Sequence, residues 1–213
     1  SNPAHQASGQ SGIGWTGPVP DMRIGGPEAG AGNVIAGILG WGIRMTGAAG
    51  VSMENNKIGM RADRSPLGNG EGGMLLESGT SGVESKADAI AFNNGPGIRV
   101  EGTSTANDFA EASIHSNAGL GIDLRADGVS ANDPLDADTG PNGMQNFPVL
   151  KSAQASGAGI RVEGEIDLPA AGGVAIDFYA SSACDPSGHG EGKVFLGTLP
   201  RYFEQAGVNQ FVL

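Results

Sequence analysis

A glycine that opens a short apolar strand recurs four times, and this repeat limits what the chain can fold into. The units are Gly42-Ile43-Arg44-Met45-Thr46, Gly73-Met74-Leu75-Leu76-Glu77, Gly97-Ile98-Arg99-Val100-Glu101 and Gly121-Ile122-Asp123-Leu124-Arg125, with glycine spacings of 31, 24 and 24 residues. Apolar side chains stand first and third after each glycine. The period of two in an extended strand puts both on one face. Ile43/Met45, Met74/Leu76, Ile98/Val100 and Ile122/Leu124 are therefore expected to stack inward.

Asparagine marks a second register. Asn69, Asn93 and Asn117 each stand four residues before a repeat glycine, whereas Ile38 holds that place in the first unit. Asparagine tolerates left-handed backbone and bonds neighbouring backbone groups. Stacked from strand to strand, the three predict a ladder that stops between the first and second units. Further short apolar stretches (Val34-Ile35, Val51 to Ile58, Ala89 to Phe92, Phe109 to Ile114) fill the intervals. Some 24 residues then divide into three strands and three turns, and coils stacked about 4.8 Å apart let each strand pair with those above and below. The longer first interval is explained by an insertion, residues 61–67, that leaves the stack as a loop.

The expected fold is all-β: a right-handed parallel β-helix of about four recognisable coils over 1–146, then a short antiparallel β-sandwich-like segment over 147–213. In the second part strands are expected at Val149 to Ala153, Ile160 to Ile166, Val174 to Ala180 and Val194 to Leu199. This segment either forms a truncated sandwich or packs across the open end of the helix as a cap. An uncapped end exposes unpaired strand edges.

Composition agrees with a turn-rich β fold. Glycine supplies 38 of 213 residues without a strict G-X-Y period, which excludes collagen. The net charge of −11 and the scarcity of aromatics argue against nucleic-acid binding. No apolar run is long enough for a membrane-spanning helix. Cys184 is alone, so no intrachain disulfide can form, and His5, His115 and His189 share no metal spacing. Ser1 opens the chain without a methionine and Phe211-Val212-Leu213 closes it in what reads as mid-strand, so both ends read as cut.

Gly32-Asn33-Val34-Ile35-Ala36-Gly37, the Asn…Gly-Ile strands and the run Asn132-Asp133-Pro134-Leu135-Asp136-Ala137-Asp138-Thr139-Gly140-Pro141-Asn142-Gly143 resemble bacterial right-handed β-helix repeat proteins of the type that often carries an N-terminal CSLREA motif. Gln145 to Leu150 resembles the join after their helix. Asp177 to Ala180 and Cys184 to Gly192 resemble the sandwich-like module that follows. The likeness spans about residues 24 to 200, is most specific over 132–150, and lacks the CSLREA segment itself. It implies a secreted or cell-surface location and a pectate-lyase-like architecture, with no activity established for most members.

Three groups of site candidates follow. The outward columns of the repeat, with Arg44, Glu77, Arg99 and Glu101, offer a face for polysaccharide. The same columns predict ion pairs of Arg99 with Asp123 and of Glu101 with Arg125. For catalysis the candidates are Asp123, Arg125 and Asp127, read as alternating on one side of a strand. Resemblance to β-helix polysaccharide lyases would give acids that hold calcium and an arginine or lysine base. A guanidinium flanked by carboxylates is a poor base, however, and paired-acid hydrolysis requires two carboxylates in a groove. For metal, Asp133, Asp136, Asp138 and Asn142 supply the hard oxygens calcium takes, in a segment without the EF-hand pattern. The competing reading there is a turn rich in Asp and Asn. The favoured function is a non-catalytic structural or adhesive module contacting polysaccharide. The competing one is a polysaccharide lyase or glycoside hydrolase of the β-helix class.

Overall fold

The computed structural model describes residues 10–18, 21–185 and 187–213, so His5 lies outside the described residues. The chain is all-β. Three parallel sheets are visited in rotation. The first collects β1 (Ile13–Thr16), β4 (Trp41–Thr46), β7 (Gly72–Glu77), β10 (Ile98–Val100) and β13 (Ile122–Leu124). The second holds β2 (Arg23–Gly25), β5 (Ser52–Glu54), β8 (Glu84–Lys86) and β11 (Asp108–Ala110). The third holds β3 (Val34–Ile35), β6 (Lys57–Ile58), β9 (Ala89–Ala91) and β12 (Ser113–His115). This arrangement is compatible with a parallel β-helix.

The register places the repeat glycines in line, with Ile43, Met74, Ile98 and Ile122 stacked on one another and Met45, Leu76, Val100 and Leu124 beside them. Inward residues of all three sheets form one core, including Ile43, Met45 and Leu76 from the first, Met53 from the second, and Ile58, Ile90 and Ile114 from the third. Burying such a side chain is worth about 1.5–3 kcal/mol. Ile122 differs, at 42% exposed, because β13 is the last strand of its sheet and no further strand covers it.

Two sequence readings need adjustment. A fifth unit exists: Gly12-Ile13-Gly14-Trp15 forms β1, which pairs with β4 in the same register. The stretches 51–58 and 109–114 are each two strands, bent at Asn55 (φ 58°) and Glu111 (φ 54°). Ala87 (φ 54°) turns the corresponding corner of the coil between them. The insertion at 61–67 is a loop closed at its base by an antiparallel bridge between Met60 and Pro66.

After two short 3-10 turns (Pro134–Asp136 and Pro141–Met144) come β14 (Val149–Ser156), β15 (Gly159–Leu168), β16 (Gly172–Ala180), β17 (Val194–Phe203) and β18 (Gly207–Val212). They make two antiparallel sheets, β14-β15-β18 and β16-β17. Ile176, Phe178 and Phe211 pack between these sheets, with Phe178 and Phe211 edge-to-face at 6.0 Å. The hairpin of β16 and β17 also meets the last coil, where Ile114 and Gly192 form an antiparallel bridge.

Candidate functional site

The outward face of the first sheet brings together most of the predicted charged residues. Arg44 Nε donates to Glu77 Oε1 at 2.7 Å, and Thr46 Oγ1 donates to the same oxygen at 2.9 Å. The hydrogen bond and charge of the partner hold the Glu77 carboxyl below its ordinary range and push Arg44 up. One strand spacing on, Arg99 Nη2 donates to Asp123 Oδ2 at 3.1 Å, and its Nε also lies 3.8 Å from Glu101. The Arg99–Asp123 pair is the one the columns predicted. The Glu101–Arg125 pair is not formed. β13 ends at Leu124, and Arg125 (φ 77°) and Ala126 (φ 66°) turn the chain away. Arg125 instead donates to Thr139 O.

That turn also dismantles the predicted catalytic arrangement. Asp123 lies on the strand, while Arg125 and Asp127 lie beyond it, so the three do not alternate along one side. Asp123 is 5% exposed, and the turn Pro141–Met144 packs against its strand. Its Oδ2 is held by Arg99, and its Oδ1 is buried without a partner. Its permanently charged neighbour is a poor proton acceptor.

Trp41 does not offer a stacking platform. Its ring is 6% exposed and lies over Gly72 of the next strand, where an added Cβ would sit 2.2 Å from the ring. The Arg99 guanidinium covers the ring, 5.6 Å from its centroid, a cation–π contact worth about 0.5–1 kcal/mol or more. An open depression of about 360 Å³ lies elsewhere, lined by Pro27, Glu28, Ala29, Gly30, Gly32, Asn55 and Lys57. Glu28 is the one acid among its described lining residues.

The acidic loop brings three of its four predicted ligands together. One oxygen each of Asp133, Asp136 and Asp138 lies within 4.8 Å of the others. Burial, then the charges of Asp133, Asp138 and Asp167, raises Asp136 above the usual carboxylate range. Asp138 Oδ1 has no partner. Asp133 already accepts the backbone N–H groups of Ala137 and Asp138, and Asp136 accepts that of Asn146. The fourth residue, Asn142, is elsewhere. Its Oδ1 accepts the Asn107 N–H at 2.9 Å, and its Nδ2 donates to Asn107 O.

Asn142 belongs instead to a system of amide ladders that is buried at Asn56, Asn69, Asp88, Asn93 and Asn107. Asn69 gives its N–H and Nδ2 to Asn93 Oδ1 at 3.2 and 2.9 Å, and Asn93 gives the same two groups to Asn117 Oδ1 at 3.2 and 2.8 Å. The ladder begins where expected, with Ile38 N–H donating to Asn69 Oδ1. At the other end it continues one step further than the asparagines do: Asn117 gives both groups to Glu191 Oε1. A second ladder runs Asn33, Asn56, Asp88. A third is the step from Val83 N–H to Asn107 and on to Asn142. Asp88 is fully buried and raised by that burial, although Ser85 Oγ donates to its Oδ2 at 2.6 Å.

Sequence spacing did not reveal Asn56, Asp88, Asn107, Asp177 or Glu191. Asn33, Asn56 and Asp88 stand at irregular separations because the coils differ in length, and Glu191 arrives from a distant hairpin. In the structure a left-handed residue precedes each of these ladder residues at Asn55-Asn56, Ala87-Asp88 and Ala106-Asn107, a conformation that the two alanines do not announce in sequence.

Searched against known proteins, the chain matches no family model and no curated protein sequence.

Proposed function

We propose that this chain is a capped right-handed parallel β-helix module, with 1–146 as the helix and 147–213 as its cap. In this reading it serves as a non-catalytic structural and adhesive part of a secreted or cell-surface bacterial protein that contacts polysaccharide. The observation that carries the proposal is the continuation of the asparagine ladder into Glu191, which closes the end of the stack with a mimic of one more coil. A stack closed in this way is a rigid, extended body with repeated faces, which suits a scaffold. The right hand follows from the strong preference of parallel crossovers for it. The resemblance of Gly32 to Gly37 and Asn132 to Gly143 to the CSLREA-type β-helix repeat proteins supports the family and the location.

The charges of the first sheet favour this reading over an enzyme of the same architecture. Arg44, Arg99 and Asp123 are already engaged with one another's neighbours, and Arg125 and Asp127 lie off the strand. The test is incubation with a panel of acidic and neutral polysaccharides, followed by new reducing ends and unsaturated products. No product is expected. Product that disappears in Asp123→Ala would overturn the proposal in favour of a lyase or hydrolase.

A further inference from the structure

Of the twelve Lys and Arg residues of this acidic chain, five (Arg44, Lys86, Arg99, Lys151 and Arg161) have carboxylates within reach. Of the other seven, Arg23, Arg125 and Arg201 are scattered, whereas Lys57, Arg61, Arg64 and Lys193 belong to the outer face of the third sheet or to segments that fold onto it. The outward column of that sheet runs Val34, Lys57, Ala89, Ser113. The insertion after β6 folds over this face through Met60, which is buried against Ala89 and Ala91, and through Lys57 Nζ, which donates to Ala62 O at 2.7 Å. Arg61 and Arg64 are thereby held on the exposed insertion.

The cap delivers another cation to the same face. Ser113 Oγ donates to Lys193 O at 2.6 Å, beside the Ile114–Gly192 bridge, and Lys193 is exposed. His115 ends β12 with its ring edge-on to Phe92. Burial first, then the charges of Lys193 and Arg64, push this imidazole below its ordinary range, so both cations act on the same spot. Among the described residues, Lys57, Arg61, Arg64 and Lys193 have no carboxylate within ion-pair distance. The acid of the insertion, Asp63, accepts the Ser65 N–H and hydroxyl, and its charge also acts on Arg61 from beyond ion-pair distance.

We infer that the outer face of the third sheet, with Lys57, Arg61, Arg64 and Lys193 around His115, is a binding surface for a carboxylate-bearing polysaccharide. Resting on the adhesive reading of the module, this assignment moves the glycan contact away from Arg44, Glu77, Arg99 and Glu101, whose charges are internally satisfied. Cations gathered outside ion pairs attract a polyanion through local field and counterion release. A nucleic acid is disfavoured because the rings at this face, Phe92 and His115, pack edge-on against each other and give no platform for stacked bases. The surface also joins two parts of the chain, since the insertion supplies Arg61 and Arg64 and the cap supplies Lys193.

The experiment measures binding of polygalacturonate to the full chain at low salt and at about 0.5 M salt, where screening is within a few ångströms. Neutral dextran and a single-stranded DNA oligonucleotide serve as comparison ligands. Binding that weakens about tenfold in Arg64→Glu and in Lys193→Glu, is unchanged in Arg201→Glu, and vanishes at high salt supports the assignment. No binding of polygalacturonate, an equal loss in Arg201→Glu, or equal binding of the DNA overturns it. Turnover of the bound polysaccharide would overturn the non-catalytic reading and leave the surface standing, so the two fail separately.

Discussion

Glu191 stands to Asn117 as Asn117 stands to Asn93: one side-chain oxygen accepts both the backbone N–H, at 3.1 Å, and the Nδ2, at 3.0 Å, of the residue one coil back. A carboxylate from a hairpin loop thus fills the slot an asparagine would fill in a further coil. Asn142 does the same for Asn107 at another corner, and Asp177 Oδ2 accepts the Glu111 N–H at 2.7 Å. The second segment meets the last strands of the parallel sheets by substitution at the ladder positions as well as by packing.

Glu191→Ala removes the acceptor shared by the N–H and Nδ2 of Asn117. Asn117 is half-buried and its Nδ2 still donates to Ile90 O, so the loss is expected at the low end of the about 1–3 kcal/mol of an unmet donor, with a measurable fall in the denaturation midpoint. Glu191→Gln keeps the accepting oxygen and is expected to retain most of the stability. A double-mutant cycle with Asn117→Ala should show a coupling of about 0.5–3 kcal/mol. Additive effects would contradict the pairing.

Asp88 gives a pH-dependent prediction. Burial raises its pKa above the ordinary 3.8. The folded state therefore holds the proton more tightly than the unfolded one, and stability from this group is present at acid pH and lost as pH rises from 3.8 through the folded value. Asp88→Asn removes the buried charge and should raise the melting temperature at pH 7, with the gain shrinking as pH falls through the folded value toward 3.8. An equal gain at all pH values would show that the charge is not its origin.

Gly72→Ala puts a methyl group where the Trp41 ring lies. Overpacking of this kind typically costs about 1–3 kcal/mol. Displacement of the ring should also change tryptophan fluorescence. Unchanged stability and fluorescence would mean that the ring moves freely.

The acidic loop is held by its own backbone, since Asp133 and Asp136 are occupied by N–H groups and Asn142 has left for the Asn107 corner. Millimolar calcium is accordingly expected to leave the melting temperature unchanged against a chelated control. A rise of several degrees would assign calcium to Asp133, Asp136 and Asp138.

The first sheet was legible because glycine marks each strand and the 24-residue period is regular where coils carry no insertion. β1 escaped because Gly14 and Trp15 blur the alternation. Asn69, Asn93 and Asn117 could be read from spacing, whereas Asn33, Asn56 and Asp88 could not, since coil length changes between them. The Arg99–Asp123 pair followed from strand register. The Glu101–Arg125 pair failed because register ends with the strand at Leu124, and left-handed backbone at Arg125 has no sequence mark. Glu191, Asp177 and Lys193 act across a chain reversal that local pattern does not encode.

Native-state hydrogen exchange tests the capped stack most directly, comparing the full chain with its Asp177→Ala/Glu191→Ala variant. Loss of protection confined to residues 107–117, with 43–58 unchanged, is the predicted result. Unaltered protection at 107–117, or a uniform loss over the whole chain, would contradict a cap that acts through the ladder ends.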